Sequence, residues 1–317
     1  WQRKSPISSS PLDPPHVPEP PTRHESLADK PAAQVAFRQA YYSGYGPAPA
    51  VERIYERNDQ AYRDLYYRLH AEVDGPLDRV RRAVTEGGSS DALLVRSADH
   101  GDLLGSHGGL HQKWFNLYDE ATRVPFLIAG IGEHATTPAV VRRTPTSHVD
   151  LVPTLLAAAG IDQDAVADEL RASFTEVHPL PGRSLLPLVA DGEADGEHRA
   201  VYLQTRDNML EGDTGASALA RRLGRTAKPP LPLRIQVPAH VGANFEGLVA
   251  HVPEDDVTGG AGHLWKLVRT FDDPDTWTEP GVRHLASDGP GGDTFRTVPL
   301  ADEWELYDLD DDPIEAV

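Results

Sequence analysis

A short apolar run, Ala92-Leu93-Leu94-Val95, empties into a loop carrying Asp99, His100, Asp102, His107, His111 and Lys113 together with Gly101, Gly105, Gly108 and Gly109. The turn-forming Gly87-Gly88-Ser89-Ser90 precedes it, so the run reads as a buried strand. In open α/β sheets ligands sit just beyond the carboxyl ends of strands, which puts Asp99 and His100 where a binding site is expected.

Asp99 offers hard carboxylate oxygens and His100 an imidazole nitrogen, a pair that suits Ca²⁺, Mg²⁺, Mn²⁺ or Zn²⁺. Two adjacent ligands leave the coordination sphere open, the catalytic rather than the structural arrangement. The four glycines let the backbone turn tightly around a bound group, and Lys113 adds a positive charge in the same loop. Metal, lysine and glycine loop together favour an anionic substrate. An isolated Asp-His-Gly-Asp is equally the composition of a solvated loop, so the surrounding pattern has to decide.

That pattern is Asp99, His100, Gly101, His107, Gly108, Gly109, His111 and Lys113, followed by Tyr118, Glu120, Arg123 and Pro125. It resembles the C-terminal signature of the sulfatase family within the alkaline phosphatase superfamily. Other landmarks follow the family order: a helix-like stretch over residues 66–80, Thr146-Ser147-His148 with Asp150 and Pro153, Gly182-Arg183-Ser184, and Trp304-Glu305-Leu306-Tyr307 with Asp312-Pro313. The resemblance covers essentially the whole chain. It implies that Asp99 and His100 ligate an active-site divalent metal, Ca²⁺ first, with Mn²⁺ or Mg²⁺ as alternatives. It implies that Lys113 contacts the sulfate group, with His111 as a further substrate contact. Ala98 stands where the family usually has Ser. His107 is a family landmark for which a loop-bracing role suffices.

The activity implied is sulfuric ester hydrolysis by a metal-assisted formylglycine mechanism. The alternatives are a phosphodiester or phosphonate monoester hydrolase of the same superfamily, or a non-catalytic piece that binds metal or a partner. Formylglycine arises from Cys, or rarely Ser, in a Cys/Ser-x-Pro-x-Arg motif. This chain has no Cys, and neither Ser5-Pro6-Ile7 nor Ser10-Pro11-Leu12 fits. The chain starts at Trp1 and its one methionine is Met209, so it is expected to be a fragment. The formylglycine is then expected in a missing N-terminal part, on the same or another chain. His16 follows Asp13-Pro14-Pro15 but by register belongs to a linking segment.

A hydrophobic content of 39% is that of a globular protein, and a net charge of −19 argues against nucleic acid and anionic membrane surfaces as partners. The expected partner is a small sulfated substrate. That negative field opposes capture of an anion, which is a reason for the site to need both a metal and Lys113. No apolar run reaches the roughly 18 residues of a membrane span. Compartment and oligomeric state are left open.

The resulting fold class is α/β: the C-terminal part of a sulfatase-like mixed-sheet domain, then a small α+β subdomain with an antiparallel sheet. Residues 1–30 form an extended Pro-rich segment, 31–198 belong to the α/β domain with half of the metal site, and 199–317 form the subdomain. Helices are expected over 32–42, 51–70 and 77–85, and over 149–159 with Gly160 as C-cap. A second buried strand is expected over 125–129. The helical spacing of Tyr41, Tyr42, Tyr55, Tyr62, Tyr66 and Tyr67 favours core packing over a carbohydrate-binding face. Ser147 or Asp150 explains itself as a helix cap. Lys266 and Arg269 read as positions on a half-exposed strand, and the resemblance implies that His263, just before it, approaches the active site from the small subdomain, as that region does in some family members. The acidic tail, residues 302–315, reads as a solvated strand and turn. Asp207, Asn208, Glu211 and Asp213 form an acidic surface loop.

Overall fold

The computed structural model describes residues 16–44, 52–87, 91–131, 144–190, 199–206, 241–252, 262–277, 279–287 and 293–316. The elements run α1 (Ala32–Gly44), α2 (Glu52–Glu86), β1 (Ala92–Arg96), α3 (Ser106–Gly109), α4 (Asp119–Thr122), β2 (Leu127–Ile131), α5 (Leu151–Ala158), α6 (Gln163–Arg171), α7 (Leu186–Ala190), β3 (Val201–Arg206), β4 (Asn244–His251), β5 (Leu264–Phe271), β6 (His284–Ser287), β7 (Asp293–Arg296) and β8 (Glu303–Asp308). The architecture is mixed α/β with antiparallel sheets. The acidic loop containing Asp207 and Asp213 lies outside the described residues. No described helix is long and apolar enough to cross a membrane.

β3, β4, β5 and β8 form one sheet in that order, every neighbouring pair antiparallel. Alternation along the strands sends Phe245, Val268 and Tyr307 inward. The opposite face shows solvent an apolar row of cross-strand partners, Tyr202, Leu248, Leu267 and Leu306. The inner face meets α1 through the loop that follows β1. Phe37 of α1 and Phe115 of the loop have ring centroids 5.3 Å apart, and Phe115 meets Phe245 edge-on at 6.3 Å. Leu103, Leu110, Leu117 and Tyr118 complete this core. Each fully buried Phe contributes roughly 1.5–3 kcal/mol, so the loop is anchored as firmly as a core strand. The core draws on residues on both sides of position 199.

Local signals translate well into elements. α1 and α2 cover the expected helices; α2 runs continuously through Pro76, whose surroundings are solvent-exposed. Gly160, at φ +67°, ends α5 in a Schellman motif, with Ile161 N–H on the Leu156 carbonyl and Gly160 N–H on the Ala157 carbonyl. Ser147 and Asp150 form a capping box at the preceding 3₁₀ turn, His148–Asp150. Asp150 also accepts from Arg183 N–H and from the Arg199 guanidinium, which ties three segments together.

Burial departs from expectation in four places. β1 is half-buried rather than buried, and Leu127 of β2 is 54% exposed; among the described residues the two strands pair only with each other, Ala92 opposite Ile131 and Arg96 opposite Leu127. An apolar run is buried only when both its faces are covered, and a two-stranded ribbon does not cover its own. Tyr62 and Tyr66 are half-buried and Tyr67 is exposed, so these tyrosines of α2 are not core residues. Lys266 is fully buried on the inner face of β5, where Asp119 and Glu315 neutralise it. Glu305 and Glu315 of the acidic tail are buried as well, because one accepts from Gln34 and Tyr307 and the other holds Lys266 and the Asp119 amide.

Candidate active site

The loop leaves β1 at Arg96 and returns along itself, with Leu103 N–H on the Gln112 carbonyl at 2.9 Å and Gly105 N–H on the Leu110 carbonyl at 2.8 Å. Its base is pinned where Gly101 N–H meets the Ala121 carbonyl at 2.9 Å. A Cβ at position 101 would lie 1.9 Å from the Glu120 carbonyl oxygen, so only glycine lets the two backbones pass this closely. Two arms result, one carrying Asp99 and His100, the other His111 and Lys113.

Asp99, His100 and Lys113 come together at the exposed end. Asp99 Oδ1 accepts from the His100 amide at 3.0 Å, and its Oδ2 lies 3.3 Å from His100 Nε2. The side chain of Asp99 is 85% exposed, and the hydrogen bond from the His100 amide, with the Lys113 ammonium nearby, holds its carboxyl below the usual range. His100 Nδ1 donates to the Gly101 carbonyl at 2.8 Å, which leaves the lone pair on Nε2. The Lys113 ammonium lies against that nitrogen.

His111 faces elsewhere. It is 1% exposed, its Nε2 lies 3.1 Å from Asp59 Oδ1 of α2, and its ring stands edge-on to Tyr62 at 5.5 Å. Asp59 also receives Arg23 at 2.9 Å and Arg63. Burial pushes the Asp59 carboxyl up, but His111, Arg23 and Arg63 together hold it at about 2. The structure therefore brings three of the four sequence-derived site residues to one point and turns the fourth into a buried ion cluster.

His107 is a brace. Fully buried, it sits between Glu25 at 3.1 Å and Glu120 at 3.3 Å, and its amide donates to Thr22 Oγ1 at 3.0 Å. Burial pulls its pKa down, yet the two carboxylates raise it to about 9.

Three features escaped sequence reasoning: Asp59, Tyr62 and the partnership of Asp102 with both arms. An Asp59–Arg63 spacing of four is a helix-surface signal, and nothing local distinguishes it from an exposed pair. Elsewhere, His263 lies beside Asp308 at 2.7 Å, and with Asp310 it forms the one described group of three ligand-type side chains whose donor atoms lie within 4.8 Å of one another.

The donor set at Asp99 and His100 fits a divalent cation. A carboxylate oxygen and an imidazole lone pair stand about as far apart as neighbouring ligands of one ion, roughly 3 Å. The Gly101 carbonyl fixes the tautomer that a ligand histidine needs. Asp99 and His100 would supply two ligands.

The loop thus gathers a carboxylate, an imidazole and an ammonium at one exposed point. Residues 15–161 match the family model described as Sulfatase. The chain is 30% identical over 193 residues to the uncharacterized sulfatase YidJ of Escherichia coli K12, covering 60% of this chain and 31% of that protein. It is 34% identical over 167 residues to an arylsulfatase of Volvox carteri, covering 49% and 25%. It is 30% identical over 202 residues to the multifunctional alkaline phosphatase superfamily protein PehA of Trinickia caryophylli, covering 58% and 36%. Residues 15–161, which carry this loop, belong to the sulfatase family of the alkaline phosphatase superfamily. The chain's matches span about a third or less of the length of these relatives.

Proposed function

We propose that the protein containing this chain is a sulfuric ester hydrolase, with Asp99 and His100 as ligands of a divalent metal and Lys113 as the cation that binds the sulfate. The observation that carries this reading is the convergence of Asp99 Oδ2, His100 Nε2 and Lys113 Nζ at the exposed end of a loop whose other half is core. A bound divalent ion, Ca²⁺ by preference and Mn²⁺ or Mg²⁺ otherwise, would supply Lewis-acid charge to the non-bridging oxygens of the ester. Lys113 adds a mobile point charge for the same oxygens. A net charge of −19 makes both cations necessary for an anionic substrate and disfavours nucleic acid or an anionic membrane as partner.

The nucleophile of this reaction, formylglycine, has no precursor Cys in the 317 residues, so it is assigned to a segment beyond them, on the same chain or another. In this reading residues 31–198 are the later part of the catalytic α/β domain and residues 199–317 its small antiparallel subdomain. His111 serves the substrate side only indirectly, through its pairing with Asp59. A second reading is phosphodiester or phosphonate monoester hydrolysis, because the same loop suits a tetrahedral phosphoryl group and one relative is a multifunctional protein of the alkaline phosphatase superfamily.

The test compares turnover of 4-nitrophenyl sulfate, bis(4-nitrophenyl) phosphate and 4-nitrophenyl phenylphosphonate by the full-length protein with Ca²⁺ or Mn²⁺. Preference for the sulfate supports the first reading, and preference for either phosphorus ester supports the second. Turnover of none, with metal still bound, points to a non-catalytic binding piece.

A further inference from the structure

Four residues of the loop other than glycine adopt left-handed backbone, His107, Phe115, Leu104 at φ +49° and Gln112 at φ +65°, and the last two are tied to one side chain. Gln112 directly precedes Lys113, so its reversed backbone sets the direction in which the lysine leaves the chain. Such conformations cost of order 1–3 kcal/mol each and persist only where neighbours hold them. The amides of these two residues share one acceptor. Asp102 Oδ1 takes Leu104 N–H at 2.9 Å and Gln112 N–H at 3.2 Å. Its other oxygen, Oδ2, accepts the Tyr62 hydroxyl of α2 at 2.9 Å, and Gln112 Nε2 reaches that hydroxyl at 3.4 Å.

We propose that Asp102, oriented by Tyr62, is the positioning residue that holds Lys113 at His100. The carboxylate stands two residues after His100 and bonds to Leu104 and to Gln112, the residue before Lys113, so it secures two strained peptides, one on each side of the loop. Asp102 touches neither His100 nor the ammonium of Lys113 through any of these bonds; it acts through the backbone of Gln112. The proposal rests on the reading of Lys113 as the sulfate-binding cation, and it deepens that reading by naming what aims the lysine.

Two measurements test it. The first is the rate at which Lys113 is acetylated by an N-hydroxysuccinimide ester, read by peptide mass spectrometry on the full-length protein and needing no turnover. The second is kcat and KM for 4-nitrophenyl sulfate in the full-length protein. Asp102→Ala is expected to change the Lys113 acetylation rate several-fold and to lower kcat by about 100-fold with less change in KM, the scale on which a misplacement of about 1 Å acts. Asp102→Asn keeps an acceptor for both amides and an amide that can donate to the Tyr62 oxygen, so it is expected to restore most of kcat. Tyr62→Phe should fall between the two. Gln112→Gly relieves the strain and is expected to keep thermal stability while lowering kcat. The proposal is overturned if Asp102→Ala leaves acetylation of Lys113 unchanged, or if Asn and Ala at 102 lose kcat in equal proportion to their loss of thermal stability. A wild-type protein that turns over no sulfate ester removes the functional reading alone, since the acetylation comparison still reports on Asp102.

Discussion

His107 lies flat on the ring of Tyr118, centroids 3.5 Å apart and planes within 4° of parallel, while its two nitrogens meet Glu25 and Glu120. One buried imidazole thus links the segment before α1, the loop and α4. The loop's exposed end inherits its rigidity from contacts of this kind.

That linkage makes stability depend on pH in a stated direction. The folded-state pKa of His107, about 9, stands above the ordinary 6.5, because Glu120 and Glu25 outweigh burial. A raised pKa contributes stability that is fully present below about pH 6.5 and is lost as pH rises through about 9. The slope is at most about 1.4 kcal/mol per pH unit. Urea unfolding at pH 6, 8 and 9.5 should show this decline in the wild type and a flatter profile in His107→Gln. Equal slopes in both would remove His107 as the cause.

Lys266 sets a second test. It is buried between Asp119 and Glu315, and its ammonium also donates to the Leu117 carbonyl at 3.1 Å. Burial pushes the Glu315 carboxyl up to about 7; Lys266 pulls it back and Asp119 adds to the rise. Lys266→Met leaves two carboxylates facing each other in a dry site, and removing one partner of a buried pair costs about 3–5 kcal/mol. The loss should be larger at pH 8, where Glu315 is ionised, than at pH 5, where a proton replaces the missing charge. Chemical denaturation at both values decides; a pH-independent loss would mean that packing alone is at stake.

Periodicity and turn chemistry made much of this fold legible. Gly160 as a C-cap, Ser147 and Asp150 as a capping pair and the antiparallel pattern after residue 199 are all local signals, and each has its structural counterpart. Burial was less legible, because it depends on what covers a face. Ala92 to Val95 are all apolar, yet among the described residues only β2 pairs with this strand. Lys266 looks like any strand lysine until Glu315, far along the chain, folds under it. At the site, the adjacency of Asp99 and His100 and the return of Lys113 follow from glycines that are visible in sequence. The turn of His111 toward Asp59 does not, since its cause is a carboxylate on a helix about fifty residues earlier.

Gly101→Ala tests whether the loop base is as tight as its contacts indicate. The new Cβ would meet backbone, the Glu120 carbonyl oxygen at 1.9 Å, and backbone cannot swing aside as a long side chain can. Overpacking of this type costs about 1–3 kcal/mol and occasionally more. A lowered melting temperature is expected, together with loss of the Gly101–Ala121 hydrogen bond, read as faster amide exchange at 101. Unchanged exchange would show that α4 shifts without cost.

Lys113→Ala and Asp99→Ala separate the two cations of the proposed site. Lys113→Ala should leave Ca²⁺ or Mn²⁺ affinity in place and lower kcat for 4-nitrophenyl sulfate by about 10²–10³-fold, as loss of a charge-stabilising donor does. Asp99→Ala should weaken metal affinity first, since the exposed carboxylate gives up a hard oxygen ligand. Excess metal is therefore expected to recover part of the turnover of Asp99→Ala and none of that of Lys113→Ala. Isothermal titration with Ca²⁺ and Mn²⁺, followed by turnover across metal concentration, distinguishes these outcomes. Full recovery of both variants by metal would mean that Lys113 serves the cation rather than the anion.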